Sequence, residues 1–286
     1  MKPNDAFHGI TTLVISVTPH GQSQGTAFYY QKLGEKDSSK EAQWREVKET
    51  WLVTNCHVVL PMINNREVIP DSFSFHLRKI ENNKLIWEPI TLNKEQLFER
   101  TLFHQDCNVD VCVIKVLDLL TDKIKNSTQY MQWYPVHEEQ LPGNNNISIE
   151  VADDAIVIGY PRGYYDKVHL YPIVKSGIIA SQWGVPFQGK PYFLIDAKLF
   201  PGSSGSIVVS KPQQIAIVDG KMMYAKEKQF AFLGIYSGDP FLQEYPIEFD
   251  DMTIFRKKGF DLGIVWYGNI VNEIIEKGIQ LKGEIS

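Results

Sequence analysis

The chain is short of cysteine, of basic charge and of long apolar runs, and each shortage closes off a class of protein. Only three of its 286 residues are cysteines: Cys56, Cys107 and Cys112. An odd number at irregular spacing is not a disulfide framework. The spacing of Cys107 and Cys112 matches no zinc site, and no pair of histidines lies nearby. They read as reduced, mostly buried thiols, which predicts a reducing compartment. Lysine and arginine number 29 against 34 aspartates and glutamates, a net charge of −5, so no basic excess exists to neutralise nucleic-acid phosphates. No run of eighteen apolar residues occurs, and no membrane-spanning helix is predicted. Residues 1–11 are mixed and polar, without the charged start, apolar stretch and small-residue cleavage site of a secretory signal. A cytoplasmic protein with neither nucleic acid nor membrane as partner is the expectation.

Helical periodicity is also scarce. It is confined to residues 117–124 and 269–276, where Ile270, Ile274 and Ile275 share one face. What fills the chain instead is short runs rich in Val, Ile, Phe and Tyr between turn residues. They lie at 11–17, 25–30, 50–54, 72–77, 109–116, 155–158, 173–179, 192–195, 206–209 and 230–236. Many short strands and few helices predict an all-β sandwich or barrel. Residues 34–45 are dense in charge and read as a solvated hairpin tip. Residues 125–146 read as a polar connector between two halves, and 239–258 as an acidic insertion between two late strands. The expectation is a single domain over 1–286 with lobes at about 8–125 and 145–268.

Three segments carry chemistry. In the run 196–206 (Asp-Ala-Lys-Leu-Phe-Pro-Gly-Ser-Ser-Gly-Ser), glycines stand two before Ser204 and just after it. They let the backbone turn tightly and expose the hydroxyl, with the amides of Gly202 and Ser204 free to converge on one point. By itself this is also the composition of an ordinary hairpin. His57 differs from the other six histidines in its frame, because an apolar strand runs directly into the polar turn that bears it. In the run 106–115 (Asp-Cys-Asn-Val-Asp-Val-Cys-Val-Ile-Lys), Asp110 opens an apolar stretch, where a carboxylate is costly without a partner. Asp106, in the looser stretch upstream, is the competing acid. Serine, histidine and a buried acid are the parts of an acyl-transfer triad.

These segments resemble the chymotrypsin/trypsin-like serine protease superfamily, most closely its bacterial Deg-type and glutamyl-endopeptidase-like members. Residues 53–59 match the family's histidine motif V-T-N-x-H-V-V. Residues 110–115 match its acid motif D-L-A-V-L-K, and 196–206 match its nucleophile motif D-A-A-I-N-P-G-N-S-G-G/S. Weaker echoes at 25–28, 155–161, 176–179, 233–235 and 262–264 extend the likeness from about residue 8 to 278. The resemblance implies two packed six-stranded antiparallel β-barrels with a C-terminal helix outside them. It makes His57, Asp110 and Ser204 the catalytic triad of a serine endopeptidase needing no metal or organic cofactor, with Gly202 and Ser204 as the oxyanion hole. It lines the substrate pocket with Lys198, Leu199, Phe200 and Pro201, with Ser237, Gly238 and Asp239, and with Gly263. Tyr236 belongs to the second of these walls, and Leu262, Ile264 and Val265 to the third.

Departures matter too. Ser203 fills the slot where trypsin-type zymogens place an aspartate for a freed amine, so activation by that clip is not expected. Lys198 stands six residues before Ser204, where such enzymes select the side chain before the cut bond. A lysine there would favour an acidic residue, unless it points to solvent or pairs with Asp196 or Asp239. A cytoplasmic protease acting on proteins or peptides needs restraint: a narrow substrate range, an oxyanion loop awaiting a trigger, or an activating or inhibitory protein partner. The alternatives are a catalytically idle binding module on the same fold, or an esterase using the same triad. A reaction that depends on a neutral imidazole is expected to slow below about pH 6–7.

Overall fold

Runs such as Trp51, Leu52 and Val53, apolar at every position, need strands buried on both faces, and the fold provides three cores to bury them in. The computed structural model describes residues 3–36, 45–63, 66–82, 84–125, 131–218, 221–240, 244–249, 252–257 and 261–280. The N-terminal half opens with helix α1 (Pro3–Ile10), then strands β1 (Thr11–Thr18), β2 (Gly21–Lys36) and β3 (Arg45–Thr54) and the short helix α2 (Cys56–Val59). A small hairpin, β4 (Met62–Ile63) with β5 (Arg66–Glu67), precedes β6 (Ser72–Glu81) and β7 (Lys84–Asn93). Helix α3 (Lys94–Arg100), β8 (Thr101–Phe103), β9 (Cys112–Lys115), helix α4 (Leu117–Lys125), β10 (Met131–Gln132) and β11 (Val136–His137) complete it. The second half contains β12 (Asp154–Gly159), β13 (Ile173–Ile179), β14 (Tyr192–Asp196) and β15 (Ile207–Ser210). Hairpin β16 (Gln213–Val218) and β17 (Lys221–Gln229), then β18 (Phe232–Gly238), hairpin β19 (Glu244–Phe249) and β20 (Met252–Lys257), β21 (Leu262–Tyr267) and helix α5 (Ile270–Lys277) follow.

Strands β12, β13, β14, β21, β18 and β15 form a closed six-stranded barrel, as expected. The first lobe is larger than the expected six strands. It is a nine-stranded sheet in which β10, β6, β1, β2, β3, β9 and β8 run in order, with β7 on β6 and β11 parallel to β2. The extra strand β7 was hidden by Pro89. Among the described residues it pairs with β6 alone, and a proline is tolerated on such an edge. The segment read as a polar connector is partly built into the sheet, with Val136 buried beside Tyr30. The charged tip at 37–44, residues 126–130 and parts of the acidic insertion at 241–243, 250–251 and 258–260 lie outside the described residues.

One core fills the first lobe around Leu52, Phe73, Phe75 and Ile114. A second fills the barrel around Val157, Phe193, Val208 and Leu233. The third lies between the lobes, where Phe28, Trp51 and Val113 meet Ile207, Phe232 and Ile235, under Ile270, Val271 and Ile274 of α5. The rings of Phe28 and Phe232 pack edge to face across this seam at 5.3 Å. Helix α5 is pinned by Tyr30, which donates to Asn272 Oδ1 at 2.9 Å, and Ile279 beyond it exchanges two hydrogen bonds with Phe103. Among the described residues no helix is long and apolar enough to cross a membrane. Of the cysteines only Cys112 is buried. Cys56 is half-buried and Cys107 is exposed, which corrects the reading of mostly buried thiols. Burial and the neighbouring Cys56 push the Cys112 thiol well up, keeping it protonated.

Burial also holds His76 and His137 below the ordinary imidazole range. The folded protein keeps both neutral at a pH where the unfolded chain takes up protons. Stability is therefore lost as pH falls through about 6.5, well above the window in which carboxylates titrate. Thermal melts are expected to show a lower Tm at pH 5.5 than at pH 7.5, with a smaller difference in His76→Gln. Equal Tm values at the two pH values would contradict this account.

Candidate active site

Each of the three chemical side chains lies just beyond the end or just before the start of a strand. Strand β3 stops at Thr54, and Asn55 leads into α2, where Val58 and Val59 anchor the turn in the first-lobe core. His57, on the free face of that turn, is left exposed. Strand β9 pairs with β3 through Thr54 and Cys112, which brings the residues just before β9 alongside the turn. Asn55 Nδ2 donates to Asp110 O at 2.6 Å and fixes the approach.

The result is a tight pair. His57 Nδ1 lies 2.7 Å from Asp110 Oδ2, and His57 N donates to Asp110 Oδ1 at 3.1 Å. Ser237 Oγ donates to the same Oδ2 at 2.5 Å. A carboxylate can only accept from the ring, so the proton sits on Nδ1 and Nε2 keeps its lone pair. Asp106 does not compete. It is exposed, and its Oδ1 accepts from Asn108 N and Nδ2, which draws its carboxyl below the usual range.

The serine loop is two tight turns in series. Ser203 N donates to Phe200 O at 3.0 Å, with Pro201 and Gly202 in the middle and Gly202 at φ +87°. Proline second and a left-handed glycine third are what a type II turn requires. Ser206 N then donates to Ser203 O at 2.9 Å, with Gly205 at φ +81° in the third position. This leaves the amides of Gly202 and Ser204 without an acceptor among the described residues. Ser204 Oγ donates to Ser237 O at 2.9 Å rather than to His57.

Thr26, at the start of the buried stretch of β2, holds this loop to the first lobe. Its amide donates to Ser204 O at 2.9 Å and its hydroxyl donates to Gly202 O at 3.0 Å. The same hydroxyl accepts from Tyr160 N, and Thr54 Oγ1 donates to Thr26 O at 2.7 Å. Its place in the early motif at 25–28 was visible in the sequence, but its part in the site was not.

The residues assigned to the substrate pocket divide. Ser237 turns its side chain to Asp110, and Leu199 and Gly263 are buried. Lys198, Phe200, Pro201 and Asp239 are exposed, and Gly238 is half-buried. Lys198 pairs with neither Asp196 nor Asp239 among the described residues; its carbonyl accepts from Lys175 Nζ. The phenol of Tyr236 occupies the space between these walls. It is 3% exposed, and a side chain at Gly263 would meet its Cε2 at 2.8 Å. Tyr236 OH donates to Asp239 Oδ1 at 3.1 Å, and burial followed by that carboxylate pushes its titration far up. Among the described residues no cluster of ligand side chains suits a metal ion.

The trypsin-like peptidase domain family model matches residues 25–216, two thirds of the chain. The chain belongs to that family. No curated protein sequence matches it. Among solved structures it is similar to the serine endoprotease from Yersinia pestis, at 16% identity over 97% of this chain and 66% of that one, with a TM-score of 0.47. It is also similar to a protease from M. tuberculosis in its active form, at 15% identity over 97% and 85% of the two chains and a TM-score of 0.44. Tobacco etch virus protease complexed with product matches at 9% identity over 98% and 83%, with a TM-score of 0.48.

Replacing Thr26 by valine keeps the shape but strands Tyr160 N and Gly202 O without their partner. Each unsatisfied buried group costs about 1–3 kcal/mol, so chemical denaturation is expected to show Thr26→Val destabilised by at least about 2 kcal/mol. Gly205→Ala is expected to be worse, because its Cβ would strike Thr26 O and Thr54 Oγ1 at a left-handed φ.

Proposed function

We propose that the chain is a serine endopeptidase that cleaves protein substrates through an acyl-enzyme, with Ser204 as nucleophile and His57 as base. Asp110 is the positioning residue, and the amides of Gly202 and Ser204 receive the oxyanion. The observation that carries this reading is the 2.7 Å pair between His57 Nδ1 and Asp110 Oδ2, which fixes the tautomer that a base needs. Ser204 Oγ leaves Ser237 O, passes its proton to Nε2 and attacks the carbonyl carbon. The tetrahedral oxyanion accepts from the two amides, and the imidazolium is balanced by Asp110. Nε2–H then protonates the leaving amine, and water repeats the sequence on the ester.

Tyr236 bears on which bond is cut. With its ring between Gly263 and Asp239, the space for the side chain before the scissile bond is shallow. We read this as a preference for glycine or alanine there, and against the acidic residue that Lys198 alone would suggest. The cytoplasmic setting, resting on the odd count of cysteines and their irregular spacing, is part of the same proposal. So is a restraint on activity.

A second reading, an idle binding module on this fold, draws support from the hydroxyl of Ser204 lying on Ser237 O. Intact mass after incubation with a fluorophosphonate separates the two. One adduct on the wild type, absent in Ser204→Ala, is expected of the enzyme; no adduct on either is expected of the idle module. Asp110→Asn is expected to lower kcat about 10⁴-fold, by analogy with the same change in a well-characterised triad. Peptides with Ala before the cut bond are expected to have kcat/KM at least tenfold above those with Phe or Glu, since a pocket discriminates by about 10–200-fold per methylene misfit. Tyr236→Ala is expected to reverse the order for Phe. A wild type that takes Glu best would overturn the pocket assignment.

A further inference from the structure

The loop that carries Gly202 has a back as well as a front. The peptide joining Pro201 to Gly202 is trans, so its carbonyl and the following N–H point in opposite directions. Pro201 O accepts from Arg162 N at 2.7 Å. The Gly202 N–H therefore faces away from Arg162. Arg162 itself sits in the left-handed region, at φ +51°, an uncommon place for a residue with a side chain.

Behind that carbonyl lies an open cavity of about 680 Å³, lined among others by Arg162, Tyr164, Lys167, Ile173, Lys175 and Phe200. Among the described residues three that line it are cations and none is acidic, on a protein whose net charge is −5. None of the three has a carboxylate partner among the described residues. Arg162 Cζ and Lys175 Nζ both approach the Phe200 ring, at 5.5 and 4.8 Å from its centroid. The ring attracts each cation, Lys175 Nζ also donates to Lys198 O, and like charges lining one cavity favour an anion there. Tyr164 is 71% exposed and Phe200 39%, so the cavity offers bare aromatic surface beside its charge.

We propose that this cavity docks an acidic peptide segment, with carboxylates against Arg162, Lys167 and Lys175 and an apolar side chain between Tyr164 and Phe200. The size and the aromatic walls suit a peptide better than a bare inorganic anion. Occupancy holds Phe200 and Arg162 in their present contact and the Pro201 carbonyl on Arg162 N, which keeps the Gly202 N–H aimed forward. The site is thus an effector site for the oxyanion loop, and this coupling rests on the reading of Gly202 as an oxyanion donor.

The test uses the full chain and the peptide Glu-Glu-Tyr-Glu-Glu-amide carrying fluorescein on its N-terminus, with a Gln-for-Glu version and inorganic phosphate as controls. Fluorescence anisotropy is expected to show binding of the acidic peptide alone. The double variant Lys167→Glu with Lys175→Gln, the first exposed and the second half-buried, is expected to weaken it about tenfold. The rate of fluorophosphonate adduct formation is expected to rise with peptide in the wild type and not in the double variant. Equal binding of the Gln peptide, or unchanged binding by the double variant, would overturn the site. Displacement of the peptide by an equal concentration of phosphate would overturn its peptide character. Specific binding with an adduct rate that does not respond would overturn the coupling alone. Specific binding with no adduct under any condition would sink the catalytic reading, and the coupling with it, while the docking site stands.

Discussion

The hydrogen bonds of Thr26 are the constraint on which the site depends. Its amide and hydroxyl reach across the seam to Ser204 O and Gly202 O, and its hydroxyl also receives Tyr160 N. Its own carbonyl is held by Thr54, one residue from the turn that bears His57. One buried residue of the first lobe thus sets the position of the serine loop relative to the histidine. The apolar seam alone could not do this, since contacts such as Phe28 on Phe232 are not directional enough to fix a hydroxyl relative to an imidazole. Burial between the lobes supplies the energy of association, and the polar contacts of Thr26 supply the register.

Asp110 shows the same division of labour at the scale of one side chain. A carboxylate at the edge of a buried strand is costly unless its oxygens are satisfied. Here three donors converge on the two oxygens: the His57 ring, the His57 amide and Ser237 Oγ. The ring is thereby oriented by a group that is itself held from two other directions. Ser237 links this pair to the serine, because its carbonyl accepts from Ser204 Oγ while its hydroxyl serves Asp110. A residue that the resemblance implied only as pocket wall is therefore also a bridge between both halves of the constellation.

What could be read from the sequence follows from which interactions are local. The turn at 200–203 was legible because a type II turn writes Pro-Gly into the chain, and β12 and β15 were legible because their apolar runs are bounded by turn residues. Helices α4 and α5 showed their periodicity. Strand β7 was obscured by Pro89, and the pairing of β11 with β2 joins residues about a hundred apart that carry no mutual signal. In the site, the three chemical segments stood out by composition. The choice of Asp110 over Asp106 became a matter of geometry only when β9 was seen beside β3. Tyr236 was legible as pocket wall but not its bond to Asp239, and the role of Thr26 was out of reach, because nothing in a threonine's neighbours tells that its hydroxyl crosses to another lobe.

Tyr236 and Ser204 bear together on the proposed restraint of activity. On the catalytic reading, a ring fills the pocket that would take a large side chain, and the nucleophile rests on a neighbouring carbonyl rather than on its base. The two features act on different quantities. A filled pocket sets which substrates are bound well in the transition state, and it cannot be relieved without moving a phenol that is anchored to Asp239. A hydroxyl on the wrong acceptor costs only a rotation about one side-chain bond, which substrate binding or a shift of the loop at 200–203 can supply. The first is a permanent filter and the second a reversible one. If activity is restrained as proposed, the two controls are separate, with the loop that carries Gly202 as the part where the proposed second ligand would act.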